Sequence, residues 1–334
     1  MVDKFVSATN ISAASFDVAC LGELVIDMAP AIEPDGRVTY EPKAGGAPGN
    51  VAVGLARLGR RAAMISKVGD ESFGRLLTGT LEHNGVDTRG VVRSAEQQTS
   101  LAFVTLGSGG EREFLFYRNN APDLSLSPEE LSIPVVTSSS VLHVNTVMLL
   151  GRLSAGTQLT AIALAREAGL LISVDINFRR ALWSDHQRMI AFGGRMVGEA
   201  TILKVTEEEL CELAAGASIP ERVRSLWHPS LRICAVTKGA AGAELFTAEH
   251  HFECPAFTVD AVDTTGAGDA FAACLLSELI GMDFDLSSEE GLATALRRAC
   301  AAGALSTTRK GAMESMPDTQ QVDALCSARY RATE

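Results

Sequence analysis

The chain has 334 residues and a mass of 35.2 kDa, with 46% hydrophobic and 21% charged residues. This composition and a mean hydropathy of +0.15 are typical of a folded globular protein and exclude disordered, collagen-like and coiled-coil chains. The formal net charge of −12 gives no sign of the basic face that nucleic-acid binding needs. Thirty glycines beside only 2 Trp, 3 Tyr and 13 Phe indicate many tight turns, as α/β enzymes with ligand-binding loops require.

The cysteines and the start of the chain bear on cellular location. The seven cysteines are scattered and never form a C-x-x-C pair, which predicts reduced thiols and neither a disulfide framework nor a zinc site. Residues 1–16 lack a basic start followed by an apolar core, and no apolar run reaches the ~18 residues of a membrane span. We therefore expect a cytoplasmic protein with no membrane partner and a loose N-terminal extension at 1–16.

Short β-branched runs alternate with longer helical patterns from Asp17 onward. In chain order, the first units are a strand at 17–22, a helix at 46–59, a strand at 62–69 and a helix at 71–85. Gly59 and Gly85 are expected to end the two helices. Similar units continue after residue 138, and strands joined by crossover helices form a parallel sheet. Residues 17–330 are thus predicted to be one α/β domain with a doubly wound sheet.

Two segments, about 28–43 and 99–120, break this alternation. Both carry the period-two pattern of strands, and GSGG at 107–110 has the composition of a hairpin turn. They predict a small separate sheet, which fits a lid beside a binding cleft or a contact between protomers. Because such a lid has one exposed face, we expect a homodimer formed through it.

The strongest chemical signal is DTTGAGDAF at 263–271. Gly266-Ala267-Gly268 opens an apolar helical pattern, so backbone N–H groups and the positive end of the helix dipole face a bound anion. Asp269 in the first turn suits helix capping by itself. Beside an anion cradle, a carboxylate is also suited to accept a proton from an attacking hydroxyl group, as phosphoryl transfer requires.

Two common nucleotide-binding motifs are incomplete. Gly69 and Gly74 have the spacing of a Walker A loop, but Arg75-Leu76 stands where Lys-Ser or Lys-Thr is required. The glycines at 45–49 and 266–268 do not complete G-x-G-x-x-G, which leaves a dinucleotide-dependent oxidoreductase as a minor alternative. Phosphate binding must use another scheme.

Two stretches resemble the signatures of the ribokinase-like, or PfkB, carbohydrate kinases. AGGAPGNVAVGLARLG followed by KVGDESFG (44–59, 67–74) is similar to the N-terminal signature, and DTTGAGDAF is similar to the C-terminal one. The resemblance runs from Asp17 to about residue 325, and GELVIDM, SLAFVTL, GEREFLFYRNNAPDLSL and DINFR are most similar to fructokinases. It implies a ribokinase-like fold, with a mostly parallel sheet flanked by helices and a small β-sheet lid.

The resemblance also implies roles for matching positions. Asp269 matches the catalytic base, and the amides of Gly266, Ala267, Gly268 and Asp269 match the anion hole for the transferring phosphoryl group. Arg179 matches a position near both substrate and phosphate. The positions that match sugar contacts and lid walls are Asp27, Gly45, Gly46, Asn50, Phe103, Phe116, Arg118 and Arg179. Each of these residues, taken alone, also suits a structural role in a strand, a helix cap or a surface ion pair.

The same resemblance implies ATP and Mg²⁺. The family's N-x-x-E motif, tied to Mg²⁺ and phosphate, aligns with 206–209, where Thr206 replaces Asn and Glu209 is retained with an indirect role at the metal. Thr206 and Glu209 also have the spacing of a capping box, which needs no metal. The other positions that match the nucleotide site are Asn177, Lys204, Thr237, Lys238, Gly239 and Cys300, with Cys300 standing where relatives often carry Asn.

A monovalent cation site beside the anion hole is a further implication of the resemblance. Hard oxygen donors suit K⁺, and its field would help to orient the anion hole. The matching positions are Asp263, Thr265, Ser306, Arg309, Gly311 and Ser315.

These observations predict an ATP-dependent sugar kinase that converts fructose to fructose 6-phosphate. A kinase for 2-keto-3-deoxygluconate is the nearest alternative, because Arg118 and Arg179 could pair with the carboxylate of that sugar acid. A catalytically inactive sugar-binding regulatory protein is an alternative of another class, because a fold does not fix an activity. The departures at Thr206 and Cys300 favour that second alternative.

Overall fold

A computed structural model describes residues 15–33, 35–106 and 112–331. The predicted hairpin turn at 107–110 and residues 1–14 of the predicted N-terminal extension lie outside the described residues.

Strands and helices alternate along most of the described chain. The strands are β1 (Phe16–Leu21), β2 (Val25–Ile32), β3 (Val38–Gly45), β4 (Ala62–Gly69), β5 (Asp87–Ser94), β6 (Leu101–Leu106), β7 (Arg112–Tyr117), β8 (Ser139–Asn145), β9 (Leu171–Asp175), β10 (Ile202–Thr206), β11 (Ile233–Thr237), β12 (Ala243–Phe246) and β13 (His251–Cys254). The α-helices are α1 (Ala47–Arg57), α2 (Ser72–His83), α3 (Ile133–Thr137), α4 (Arg152–Glu167), α5 (His186–Glu199), α6 (Glu207–Leu213), α7 (Ile219–Leu226), α8 (Ala267–Gly281), α9 (Glu289–Ser306) and α10 (Thr319–Arg331).

The main sheet has nine strands in the order β13-β12-β11-β10-β9-β8-β1-β4-β5. In this order, the seven strands from β11 to β5 run parallel to one another. β12 and β13 add an antiparallel edge. The chain proceeds from β1 to β4 and β5, and then returns to β8 on the other side of β1. The direction of winding therefore reverses between β1 and β8, where open α/β sheets bind ligands beyond their carboxyl ends. The predicted doubly wound, mostly parallel sheet is confirmed.

Four strands form a second, smaller sheet in the order β3-β2-β6-β7, as the lid segments predicted. β2 pairs antiparallel with β3 and parallel with β6, and β6 pairs antiparallel with β7. β2 begins at Val25, four residues after β1 ends at Leu21. This short connection places the small sheet over the carboxyl end of β1.

The core has two apolar layers on opposite faces of the main sheet. Along β1, Val18 and Cys20 belong to the layer packed with α1, α8 and α9, whereas Ala19 and Leu21 belong to the layer packed with α4 and α5. Successive strand residues point to opposite faces, so a strand covered on both sides is apolar throughout. This explains the continuous apolar runs in the sequence.

Two helices end just before the glycines that were predicted to end them. Gly59 and Gly85 follow α1 and α2 with φ angles of 81° and 80°, the left-handed conformation that glycine adopts most easily. Cys20, Cys211, Cys234, Cys274 and Cys326 are free thiols. Within the described ranges, no helix combines the length and the apolar character needed to cross a membrane.

Candidate active site

A pocket opens at the carboxyl end of β1, between the main sheet and the small sheet. Its lining comes from six parts of the chain: Glu23, Val25, Asp27, Gly46, Ala47, Asn50, Phe116, Arg118, Val147, Arg179, Leu182 and Thr265. Seven of the predicted site residues are among them, namely Asp27, Gly46, Asn50, Phe116, Arg118, Arg179 and Thr265. The fold thus brings together positions that are up to 238 residues apart in the sequence.

The predicted anion cradle is the start of α8. Gly266 is the N-cap residue, with a φ angle of 83°, and a Cβ atom built on it would lie 3.1 Å from Cβ of Ala312. Within the described chain, the amides of Gly268 and Asp269 have no backbone acceptor. Free amides in the first turn, together with the helix dipole, form a site for an anion.

Asp269 is buried beside this cradle and is hydrogen-bonded to Asn50, a residue of the N-terminal signature. Its side chain is on a residue only 4% exposed, and its Oδ2 accepts a hydrogen bond from Nδ2 of Asn50 at 2.7 Å. Because the carboxylate needs a donor, it also fixes the orientation of the Asn50 amide. Oδ1 of Asn50 is buried and has no partner in the described part of the chain. That oxygen is suited to accept a hydrogen bond from a ligand hydroxyl group.

Two glycines make room for the acidic groups of the pocket. A Cβ atom on Gly45 would lie 2.3 Å from Oδ2 of Asp27, and one on Gly46 would lie 2.3 Å from the carbonyl oxygen of Glu23.

Burial raises the pKa of Asp27 to about 7, although the Arg179 guanidinium acts in the opposite direction. Asp269 adds to this rise in the pKa. A carboxyl group that titrates near neutral pH in a pocket marks a candidate ligand contact.

Arg179 follows β9 at the sheet edge and is exposed, with a φ angle of 47°. Asn177, two residues earlier, also has a positive φ angle, of 42°. Left-handed backbone at residues other than glycine is strained and is concentrated at functional sites. Within the described ranges, the side chain of Arg179 forms no hydrogen bond or ion pair, which differs from an arginine placed to form a surface ion pair.

The two lid phenylalanines lie on opposite faces of the small sheet. Phe116 pairs with Ala102 in the register and lines the pocket. Phe103 pairs with Leu115 and contacts the rings of Tyr40 and Tyr117, with centroid distances of 5.1 and 5.4 Å. The expectation that both phenylalanines form walls of the pocket is therefore corrected: strand residues of opposite parity point to opposite faces, and only Phe116 points to the pocket.

Lys204 lies beside the anion cradle. Its Nζ is 3.1 Å from Oδ1 of Asp175, and a Cβ atom built on Gly268 would lie 3.0 Å from that Nζ. Burial lowers the pKa of Lys204, but the carboxylates of Asp175, Glu209 and Asp269 outweigh it and hold that pKa above its ordinary value. Lys204 is therefore a buried ammonium group at the same helix end that presents free amides. Two positive elements at one point favour a phosphate group.

Thr206 and Glu209 form the predicted capping box at the start of α6. Oγ1 of Thr206 accepts from the Glu209 amide at 3.2 Å, and Oε2 of Glu209 accepts from the Thr206 amide at 2.9 Å. Oε1 of Glu209 accepts from the Phe178 amide at 2.9 Å. Glu209 thus also fixes the loop that carries Asn177 and Arg179. Both oxygens of this carboxylate are thus engaged by backbone amides.

The other predicted nucleotide positions lie at the neighbouring strand end and on α9. Thr237, Lys238 and Gly239 end β11 or follow it, and Nζ of Lys238 donates to Oε1 of Glu244 at 2.7 Å. Cys300 is buried in α9. Lys238 is therefore engaged with the β12 edge, whereas Lys204 faces the cradle.

The segments predicted to hold a monovalent cation are adjacent. The carboxylate of Asp263 accepts from the Thr265 amide at 2.9 Å and from the Gly311 amide at 3.3 Å, and the Thr307 carbonyl accepts from the amide of Asp263 at 2.9 Å. Ser306 and Ser315 are buried, whereas Arg309 is exposed. The arrangement places oxygen-bearing groups next to the start of α8.

Sequence reasoning missed several acidic and amide groups of the site. Glu23 is 4% exposed, lines the pocket, and accepts hydrogen bonds from the Ala47 amide at 3.1 Å and from Nδ2 of Asn145 at 3.0 Å. Asp175 and Asp123 are also buried. Glu23, Asn145 and Asp175 share a signal that could have identified them, because each lies at the end of a strand, or within two residues of it, at the carboxyl edge.

Comparison with known proteins agrees with this fold. Residues 15–319 match the pfkB family of carbohydrate kinases. A protein of Arabidopsis thaliana named probable fructokinase-3 is 39% identical over 324 residues, which cover 95% of this chain and 93% of that protein. The crystal structure of a fructokinase from Xylella fastidiosa with bound ATP superposes with a TM-score of 0.87 at 31% identity, covering 94% of this chain and 99% of the other.

A second solved structure is the fructokinase from Vibrio cholerae O395 with fructose, ADP and calcium ion bound. It superposes with a TM-score of 0.83 at 33% identity, covering 93% of this chain and 99% of that chain. The fold and the site define a carbohydrate kinase. The chain belongs to the pfkB family of carbohydrate kinases.

Proposed function

We propose that this protein is an ATP-dependent fructokinase, which transfers the γ-phosphoryl group of ATP to fructose and forms fructose 6-phosphate. One observation carries the proposal: the buried Asp269 carboxylate, held by Asn50, lies in the first turn of a helix whose free amides form an anion cradle. Relatives named fructokinase, and a relative crystallised with fructose and ADP, support fructose as the acceptor.

The sugar would bind between Asp27 and Asn50. Oδ1 of Asn50 is a buried acceptor without a partner, and Asp27 offers carboxylate oxygens across the same pocket. A sugar presents several hydroxyl donors close together, so paired acceptors select it and orient it. Phe116 on the lid would cover the sugar and exclude water, which limits hydrolysis of ATP.

Phosphoryl transfer would use Asp269 as the general base. Asp269 takes the proton from the primary hydroxyl group of fructose as that oxygen forms a bond to the γ-phosphorus and the bond to the β-phosphate oxygen breaks, releasing ADP. The amides of Gly268 and Asp269, which have no backbone acceptor within the described chain, and the Lys204 ammonium would stabilise the charge on the transferring group. Preorganised donors of this kind act most strongly in a site from which water is excluded.

The residues present fit a divalent cation and K⁺. Bound to the ATP phosphates, Mg²⁺ would neutralise part of their charge. Glu209, whose two oxygens already accept backbone amides, would hold such a metal through water, beside Asp175. The Asp263 carboxylate and the loop from Ser306 to Ser315 would hold K⁺ next to the start of α8.

The charge of the pocket favours a neutral sugar over 2-keto-3-deoxygluconate. Arg118 is already paired with the buried Asp123, so a substrate carboxylate would have to compete with Asp123 for this cation. Arg179 faces Asp27, and Glu23 and Asp269 add further acidic groups. A sugar acid would therefore enter a site with an excess of carboxyl groups.

The exposed face of the small sheet supports the predicted homodimer of single-domain protomers, each spanning 17–330. Tyr40, Phe103 and Tyr117 form an aromatic row on this face, beside Leu115. Leu115 and Tyr117 are 53% and 57% exposed. Large apolar side chains gathered on one exposed sheet face are typical of a protein interface, and the small sheet of a second copy offers a matching surface.

The free thiols support the predicted cytoplasmic location. Cys20, Cys211, Cys234, Cys274 and Cys326 are free thiols, and four of these five are buried. Proteins of oxidising compartments more often carry disulfides, so a reducing compartment fits this chain best.

A substrate panel tests the proposed function. ADP release from ATP is measured with fructose, 2-keto-3-deoxygluconate, ribose and adenosine as acceptors, and the product is identified by mass and by its reactivity with glucose 6-phosphate isomerase. We expect fructose to give the highest kcat/KM. Turnover of only the keto acid would support the alternative kinase, and absence of turnover with every acceptor would support a regulatory protein.

A further inference from the structure

Arg118 is a buried cation at the lid side of the pocket. Its side chain is 8% exposed, and its Nη2 pairs with Oδ2 of Asp123, whose side chain is 1% exposed. Oδ1 of Asp123 accepts a hydrogen bond from Oγ of Ser100 at 3.4 Å. Nε of Arg118 is buried and has no acceptor in the described part of the chain. Arg118 thus has one charged partner, and its charge is balanced by Asp123 on the inner side of the lid.

Glu23 lies near Arg118 at the end of β1. Its carboxylate is fixed by the Ala47 amide and by Nδ2 of Asn145, and it lines the same pocket. Burial raises the pKa of Glu23, while Arg118 acts to lower it and Asp123 acts to raise it, so the three groups share one electrostatic neighbourhood. Arg118 is therefore accompanied by two acids that come from separate elements.

We propose that Asp123, assisted by Glu23, determines the charge of the substrate by neutralising Arg118, so that the pocket accepts neutral sugars and rejects sugar acids. The inference rests on the proposed fructokinase function and assigns a specificity-determining role to Asp123. Neither acid takes part in the transfer of the phosphoryl group.

The physical argument concerns what Arg118 can offer a substrate. A guanidinium group binds a carboxylate best through two parallel hydrogen bonds. Asp123 already occupies Nη2, so a substrate carboxylate would have to share the cation with Asp123 and approach Glu23 as well. The neutral hydroxyl groups of a sugar need no counter-charge, so the two acids do not disfavour them. Rejection of anions thus comes from unfavourable charge placement, a recognised means of selectivity.

Isosteric variants and binding of the free sugars test the inference. Asp123→Asn and Glu23→Gln remove one negative charge each with little change in shape. Titration calorimetry on the full chain, without nucleotide, gives the Kd for D-fructose and for 2-keto-3-deoxygluconate. We expect the wild-type protein to prefer fructose, and Asp123→Asn to reduce the preference at least about tenfold, mainly by tighter binding of the acid. Glu23→Gln should shift the preference in the same direction by a smaller factor.

Glu130→Gln is the matched control. Glu130 pairs with Lys67 at 2.7 Å, and neither residue lines the pocket, so this variant should keep the wild-type preference. The unfolding midpoint of each variant is measured as well. If Asp123→Asn does not fold, the shift expected in Glu23→Gln carries the test.

The outcomes separate this inference from the proposed function. A wild-type protein that prefers fructose, together with an unchanged preference in the folded variants, contradicts the role of the acids and leaves the fructokinase intact. A parallel loss of affinity for both sugars would also contradict it, because a merely structural role predicts that result. A wild-type protein that binds neither sugar contradicts the proposed function, and the inference falls with it.

Discussion

Asp27 carries a carboxyl group whose ionisation should control sugar binding. Burial raises its pKa to about 7, against the opposing effect of Arg179, and Asp269, Asp263 and Glu314 add to the rise. The ionised form accepts hydrogen bonds from sugar hydroxyl groups through both oxygens, whereas the protonated form loses part of that capacity. Binding should therefore strengthen as the pH rises through 7.

The first prediction follows from this pKa. The Kd for fructose should be roughly tenfold higher at pH 6 than at pH 8, because the ionised fraction changes about tenfold across a pKa near 7. Titration calorimetry across this range measures it. Asp27→Asn should bind fructose weakly with no such pH dependence. An equal pH dependence in that variant would assign the titration to another group.

Lys204 gives a second prediction at the same scale. Lys204→Gln should lower kcat by about a hundredfold, the effect of removing one preorganised donor at a transferring group. It leaves Asp175 buried without its cation, so the protein should also unfold at a lower temperature. The double variant Lys204→Gln/Asp175→Asn should recover stability and not kcat. Recovery of both by the double variant would show that Lys204 acts only through folding.

At the scale of elements, the start of α8 depends on backbone geometry. Gly266 combines a φ angle of 83° with close neighbours in the loop that carries Ala312. Gly59 has nearly the same φ angle, 81°, at the end of α1, but nothing lies within 4 Å of a Cβ atom built there. A comparison of substitutions at the two glycines therefore separates the energetic cost of the left-handed backbone from the effect of the contact with Ala312.

Alanine at each position gives the third prediction. Both variants should lose about 1–2 kcal/mol of unfolding free energy, the cost of a left-handed conformation for a residue with a Cβ atom. Only Gly266→Ala should also lower kcat, by more than tenfold, because the Ala312 contact shifts the amides of the cradle. Chemical denaturation and steady-state kinetics measure the two effects. Equal kinetic effects in both variants would contradict the assigned cradle.

The elements that the sequence predicted best share a clear physical signal. Strand β4 was predicted with its observed bounds because a strand covered on both faces is apolar throughout, and α1 and α2 were located by the glycines that end them. The hairpin β12–β13 was not predicted as a pair of edge strands. Each of these strands has only four residues, and β13 is partly exposed. Their formation therefore depends on pairing with the rest of the sheet more than on a local sequence pattern.

The sequence predicted the site best at positions where the backbone requires a particular residue type, such as glycine. Gly45, Gly46 and Gly266 stand where a side chain would collide with a neighbour. The sequence did not separate Phe103 from Phe116, because the face toward the cleft depends on how the small sheet joins β1. Glu23 and Asp123 were missed, since their partners come from distant segments. Long-range packing supplies that information.

At the scale of the whole molecule, the two faces of the small sheet have different roles. One face carries Phe116 to the pocket, and the other exposes the aromatic row of Tyr40, Phe103 and Tyr117. A dimer through the exposed face would therefore hold the lid next to the active site, and assembly would assist the closure of each site.

The fourth prediction concerns this assembly. The wild-type protein should have twice the 35.2 kDa mass of one chain in solution, and Leu115→Ser/Tyr117→Ser should weaken the dimer by about a hundredfold, because aromatic side chains dominate interface energies. Light scattering after gel filtration measures the mass. Ile133→Ser is the control, since Ile133 is 49% exposed and lies on α3, away from the small sheet. A monomeric wild-type protein would contradict the proposed interface.

The central claim is that Asp269 removes the proton from the sugar hydroxyl group. Asp269→Asn keeps the shape of the side chain and removes its ability to accept a proton. The formation of fructose 6-phosphate from ATP and fructose should fall by at least about a thousandfold, while the unfolding midpoint and the Kd for fructose stay within a few-fold of the wild-type values. Turnover near the wild-type rate in this folded variant would contradict the mechanism proposed here.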